Sequence, residues 1–389
     1  MRRRDTVMLA VAFLLVPALV LGIGAPAGFL PEASLFDGGL LAEADAYIAA
    51  HLPGRETLAG WGLAIRVLGG QREYNQIFIF GDELIPIPPP PLDYQVRDNT
   101  AAILQFAEQA GVPVYAMIIP TVSAIRQQSL PPFMLGQSVN QRQFIDDVYA
   151  DLIGRVIVVD AYNALESVSD QYIFYRTENN LTALGGFYLY QALGERLLVG
   201  IAQPNLQNYD IEFVKFDFLG NLYRRSPFQN ARADILSIFR YRRVPPLEYV
   251  MTVERGGLSR TYHTIFPLHM LDLEEGRAMD IYLGGLSAIT TIATSSPYPN
   301  SLLVLGDQTA LAFVPFLANH YRTLTLLNLE QMGREEQLRI SQGIRRGEFD
   351  QILFAYSVET YMHMPFPAWS IGLLPEPIEY DNGQLTVLQ

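Results

Sequence analysis

An apolar run that ends in Gly306-Asp307 is the place in this chain where an acyl-transfer nucleophile could stand. Leu302-Leu303-Val304-Leu305 leads into that pair, and an apolar helical stretch follows through Leu317. A strand ending in such a turn aims backbone N–H groups and the positive end of a helix dipole at a ligand. A serine at 308 would complete the nucleophile turn of a hydrolase, but the residue is Gln308, whose amide cannot form an acyl-enzyme. Two other strand ends, Pro120-Thr121 and Asp160, carry polar groups where open parallel sheets collect their ligands. Asp307 reads either as a helix cap or as a carboxylate free for chemistry. The histidines are His51, His263, His269, His320 and His363, and no two stand at His-x-x-x-His spacing, so no metal site and no cofactor is expected. His320, ending a helix beside Tyr321, reads as structural. Ser123, Ser295, Ser296, Ser301 and Thr309 read as cap, turn or loop residues.

The elements that must hold these positions follow an α/β rhythm. Val112–Ile119, Val156–Asp160, Leu302–Leu305, Thr323–Leu329 and Gln351–Ala355 read as strands, the most apolar of them as strands buried on both faces. Helical periodicity covers Arg97–Ala110, closed by Gly111, and Phe144–Ile153, Ala183–Val199 and Glu335–Arg346. This alternation specifies a parallel sheet with helices on both faces. Between the halves, about 205–285, short alternating stretches such as Ile211–Phe218 and Tyr249–Val253 predict a mostly β insertion. Upstream, Ala42–Leu68 reads as two amphipathic helices broken at Pro53-Gly54, and Pro86–Pro91 as an extended connector. Ile378–Val387, centred on Asn382-Gly383, reads as a terminal hairpin. Arg224-Arg225 and Arg240–Arg243 are the concentrated basic stretches beyond the N-terminus, and Tyr172, Phe174 and Tyr175 form an aromatic run that reads as core or as a stacking surface for sugar rings.

Composition excludes whole classes. The 389 residues carry 27 Lys and Arg against 40 Asp and Glu, a net charge of −13, so a nucleic-acid partner is not expected. Half the residues are apolar and 17% charged, which describes a globular chain. Absence of cysteine removes disulfides, thiolate metal sites and a cysteine nucleophile. Arg2, Arg3 and Arg4 precede an uncharged stretch, residues 6–31, that reads as an export signal: either an uncleaved single-pass anchor or a signal cleaved after Ala27. The arginines keep the N-terminus cytoplasmic and send residues 32–389 outward.

The segment Asp82–Pro131, with Ile119-Pro120-Thr121 and Ser129-Leu130-Pro131, resembles the DHHW family of exported bacterial proteins. So do Pro53-Gly54-Arg55, Tyr282-Leu283-Gly284-Gly285 and Leu302–Tyr321, and the resemblance runs from about Glu43 to Thr360 in unbroken order. That family is similar to the SGNH hydrolase fold and to alginate O-acetyltransferases, which implies a flavodoxin-like sheet and serine-based acyl chemistry on carbohydrate. After Tyr175-Arg176-Thr177 the family carries Asp-His-His-Trp; this chain carries Glu178-Asn179-Asn180-Leu181. The orienting aspartate, the basic histidine and the nucleophilic serine of the related acyltransferases therefore match Glu178, Asn180 and Gln308, and an asparagine that often follows the Gly-Gly pair matches Leu286. An asparagine amide has no pKa near 7 and cannot act as general base. The resemblance thus implies a degenerate triad in a membrane-anchored envelope protein that binds or scaffolds, with a carbohydrate or an envelope acyltransferase as partner. The alternative is a working carbohydrate O-acetyl esterase or transferase that uses other residues.

Overall fold

The computed structural model describes residues 67, 70, 72–131, 134, 139–198, 205–272, 277–374, 379–381 and 384–386. The apolar segment 6–31, the helices read within 42–68 apart from Val67, and the Asn382-Gly383 turn lie outside these residues. No helix among the described residues is long and apolar enough to cross a membrane.

In chain order, β1 (Glu73–Tyr74), β2 (Ile77–Phe80) and β3 (Glu83–Pro86) make a small antiparallel sheet. Then come α1 (Asp93–Gln109), β4 (Val114–Ile119), α2 (Val122–Ile125), α3 (Gln141–Leu152), β5 (Ile157–Val158), α4 (Ala161–Glu166) and α5 (Ala183–Leu197). The insertion supplies β6 (Tyr209–Phe218), α6 (Asn221–Arg225), β7 (Asp234–Tyr241), β8 (Tyr249–Arg255) and β9 (Leu258–Tyr262). The second half runs β10 (Ile289–Thr294), β11 (Ser301–Gly306), α7 (Ala310–Leu317), β12 (Thr323–Leu327), α8 (Arg334–Arg345), β13 (Gln351–Ser357) and α9 (Val358–His363). Residues 379–381 and 384–386 pair as a terminal antiparallel hairpin.

The central sheet has the order β5-β4-β13-β11-β12-β10-β8-β9. Its first five strands are parallel neighbours, whereas β12–β10, β10–β8 and β8–β9 pair antiparallel. The sheet is therefore mixed, which corrects the parallel sheet expected from the α/β rhythm. One of the three antiparallel pairs has a local cause: β8 and β9 are joined by Gly256-Gly257, both at positive φ (57° and 77°), as a two-residue hairpin requires. That hairpin docks on β10, so half of the insertion extends the main sheet, while β6 and β7 pair as a separate ribbon.

Every residue of Val114–Ile119, Leu302–Gly306 and Ile352–Tyr356 is buried, and since side chains alternate across a strand, both faces of the sheet are covered. The α7 helix is buried along its whole length and sits directly against α5. The contact is made by backbone: a Cβ at Gly186 would lie 1.9 Å from the Ala312 carbonyl oxygen, so only glycine permits this approach. Side-chain caps set the helix starts, with Asn140 accepting from Gln143 N, Asp160 from Asn163 N, Thr182 from Gly185 N and Ser357 from Thr360 N.

Candidate functional site

The carboxyl ends of β4, β13 and β11 open into a cleft of about 170 Å³. The chain leaves β4 towards β5 on one side and β11 towards β12 on the other, so this is where the connections diverge and where an open α/β sheet places a ligand. Three walls are built by Ile119–Val122, by Asp307–Thr309, and by Ser357 with Glu359 and Thr360; Phe174 and the loop Asn179–Leu181 form the fourth.

Two of the three positions singled out from the sequence meet here. The Asn180 amide donates to the Gln308 carbonyl at 3.1 Å although 128 residues separate them, and its Oδ1 accepts from Leu181 N at 2.8 Å. Asn180 is buried, whereas the Gln308 side chain is exposed at the mouth. Glu178 is not part of the lining. Its carboxylate accepts from Asn221 N at 2.8 Å and Asn179 N at 3.0 Å, and a Cβ on Gly220 would lie 2.4 Å from the Glu178 Cβ. Burial raises the Glu178 pKa, opposed by those backbone N–H donors and by Arg224. Leu181 lines the cleft; Leu286 does not, and its carbonyl accepts from Arg255. Asp160, flagged as a strand end, caps α4 and does not line the cleft.

Asp307 resolves as a brace. Its Oδ1 accepts from Thr309 N at 2.9 Å and Thr309 Oγ1 at 2.5 Å, and its Oδ2 accepts from Ser357 N at 2.8 Å, so it ties the ends of β11 and β13 together. The hydroxyls of the cleft are similarly engaged: Ser357 Oγ donates to Thr360 Oγ1 at 3.1 Å and accepts from Thr360 N, and Thr121 is clamped by both ends of the Gln141 amide at 2.7 and 3.0 Å. No histidine among the described residues lines the cleft, so none of them offers its hydroxyls an imidazole base. Among the described residues no group of three or more His, Asp or Glu side chains converges to hold a metal ion.

A family model described as DHHW protein matches residues 93–326, more than half of the chain. The chain belongs to the DHHW family. The solved structure of a DHHW family protein from Eubacterium siraeum superposes with a TM-score of 0.66 at 20% identity, covering 78% of this chain and 98% of the other. Bacillus cereus PatB1 gives 0.62 at 15% identity when carrying a sulfonyl adduct and 0.61 at 16% without it, each covering 98% of PatB1 and 76% and 75% of this chain. These likenesses show the fold. No curated protein matches the sequence.

In this DHHW protein the loop bearing Asn179 and Asn180 is held from the insertion. Asp234, at the start of β7 and fully buried, accepts from Arg176 N and Thr177 N, each at 2.8 Å, from Thr177 Oγ1 at 2.5 Å and from the Tyr172 hydroxyl. The Arg176 guanidinium lies 3.9 Å from Asp234, 3.7 Å from Glu83 and over the Tyr172 ring, and Glu83 pairs with Arg126 beyond the β4 wall. The aromatic run therefore packs as core: Phe174 and Tyr175 are buried, and Phe174 touches the sheet pattern only through a bridge to Leu181. Arg240 and Arg242 pair across the β6–β7 ribbon with Glu212 and Asp210, which removes them as a free basic patch.

The polar cleft residues missed by sequence reading include Ser357, Glu359, Thr360 and Asn221, and Asn179 was read only as part of the motif. Glu359 accepts from the Asn179 amide at 2.8 Å, and burial raises its pKa, with Asp307 raising it further against that hydrogen bond. Gln351–Ala355 was legible as a strand, and inspection of its carboxyl end, as at the other strands, would have found Ser357 and Glu359. Both lie beyond the residues that the family model matches.

Proposed function

We propose that this is an exported, membrane-anchored DHHW protein that binds carbohydrate at the cell envelope without acylating it, and that works beside an active acyltransferase or on a surface polysaccharide. The observation that supports the reading most is the meeting of Asn180 with the Gln308 backbone at 3.1 Å. It joins two positions that the resemblance to the related acyltransferases matches to base and nucleophile, and each of them carries an amide side chain here. Losing nucleophile and base together removes triad chemistry and leaves only stabilisation by positioned donors. Ser357 does not replace the nucleophile, because its hydroxyl is engaged in the α9 cap. The triple arginine followed by an apolar segment supports the orientation.

The test is kinetic. Purified protein should hydrolyse aryl acetates no faster than buffer, and Asn180→His with Gln308→Ser should give at most a weak gain, since Glu178 is engaged at Asn221 and does not orient a residue at 180. Turnover by the unaltered protein that tracks with one hydroxyl-bearing side chain would establish the enzyme reading instead. For orientation, protease added outside spheroplasts should digest the region after Pro31, and protection of that region would overturn the localisation.

A further inference from the structure

We propose that the cleft selects a cationic sugar, a hexosamine unit whose amino group is a free ammonium. The inference rests on the carbohydrate-binding reading and adds to it the charge of the ligand. Among the described residues the lining carries two carboxylates, Asp307 and Glu359, and no Lys, Arg or His. Outside the lining, His363 and Arg225 oppose the rise of the Glu359 pKa, and both set their nitrogens against backbone carbonyls. The His363 ring lies 3.1 Å from the Glu359 carbonyl and 3.0 Å from the Pro90 carbonyl, and the exposed Arg225 guanidinium points to the Asn75 carbonyl at 3.5 Å.

Three donors already fill Asp307, so of its roughly four lone-pair sites little remains. Glu359 accepts one bond from Asn179 and keeps acceptor capacity on the cleft side of α9. A uronate or phosphate would bring a third negative charge into a partly desolvated site, which is unfavourable at the low effective dielectric there. A neutral sugar brings no charge to Glu359, whose side-chain partner is the Asn179 amide. An ammonium brings one positive charge and three donors, matching what the wall lacks. Burial first, and Asp307 after it, raise the Glu359 pKa against the Asn179 hydrogen bond, His363 and Arg225, and a bound ammonium adds to that opposing positive charge. Gln308 offers an exposed amide for ring hydroxyls, and Phe174 supplies an apolar wall. At about 170 Å³ the cleft falls below the roughly 300–1,000 Å³ of sites for drug-sized ligands, so it takes a single ring, terminal or protruding, instead of a polymer segment.

The experiment is calorimetric titration of the purified full-length protein with three tetrasaccharides: fully deacetylated glucosamine, its N-acetylated form, and an oligouronate. The deacetylated tetramer should bind at least tenfold tighter than the N-acetylated one, the oligouronate should not bind, and affinity should fall as salt rises. Glu359→Gln should weaken the deacetylated ligand about tenfold. Gln308→Lys, which changes an exposed side chain and keeps the backbone carbonyl that Asn180 uses, should weaken it similarly and keeps the test open if the Glu359 variant misfolds. Equal or tighter binding of the neutral or anionic oligomer would overturn the charge inference and leave carbohydrate binding standing. Cationic binding that ignores both substitutions would show diffuse attraction to a protein of net charge −13 and would overturn the site. Failure of all three oligomers to bind would overturn the inference together with the reading beneath it.

Discussion

Replacing Asp234 by asparagine tests how the insertion holds the cleft loop. The aspartate is fully buried and accepts four hydrogen bonds, two on each oxygen: Tyr172 Oη and Arg176 N on one, Thr177 N and Thr177 Oγ1 on the other. Asparagine keeps one oxygen, so two donors must face an NH₂ group. Bonds to a charged acceptor contribute about 1.5–3 kcal/mol each, which puts the loss at roughly 3–6 kcal/mol before the loop relaxes. That is a large share of the ~5–15 kcal/mol that typically separates folded from unfolded protein. Urea unfolding at constant slope measures it directly. Thr177→Val, which deletes one of the same bonds, should cost about 1–2 kcal/mol and combine with Asp234→Asn less than additively, because the pair shares an interaction. A loss below about 1 kcal/mol for Asp234→Asn, or strict additivity, would refute the claim that this carboxylate anchors the loop.

Three other outcomes follow from the packing and the charges. Gly186→Ala should destabilise by about 1–3 kcal/mol despite alanine's better helix propensity, since its Cβ would sit 1.9 Å from the Ala312 carbonyl; an unchanged unfolding midpoint would contradict the α5–α7 contact. Burial, reinforced by Arg243, depresses the His320 pKa from 6.5 to about 4, so the unfolded chain binds the extra proton first and stability falls as pH drops from 6.5 towards 4, by at most roughly 3 kcal/mol. The stability difference between the protein and His320→Gln should shrink over that window, and a pH-independent difference would exclude a buried neutral imidazole bonded to Tyr190. Glu178→Gln should cost about 1–3 kcal/mol, because one of two backbone N–H groups then meets a donor; a neutral result would mean that the Asn221 contact does not form.

Strands with a long apolar signature were legible: Val114–Ile119, Ser301–Gly306 and Gln351–Ser357 coincide with runs that only a doubly covered sheet can bury. Ile157–Val158 shows the limit, an edge strand of two residues with Ile157 exposed, where an apolar run of four had suggested a buried one. The antiparallel half escaped because β10, Ile289-Thr290-Thr291-Ile292-Ala293-Thr294, carries no signal of which strand it will pair with. Register between distant strands is set by packing, not by local pattern. At the site, Asn180 and Gln308 were matched through the family resemblance and do meet, while Glu178, matched in the same way, lies outside the cleft with its carboxylate on Asn221 N beside Gly220. The β13–α9 wall was missed because the carboxyl end of Gln351–Ala355 was not inspected as the other strand ends were, and the sheet order that sets β13 between β4 and β11 is what makes that end central.

The central claim is that this DHHW cleft lacks an acyl-accepting nucleophile. Incubation with a sulfonyl fluoride followed by intact-mass measurement tests it most directly, since PatB1, of the same fold, has been seen with a sulfonyl adduct. The protein should keep its unmodified mass at reagent levels that label an active serine hydrolase to completion. A stoichiometric adduct on one serine or threonine, lost when that residue is substituted, would contradict the account.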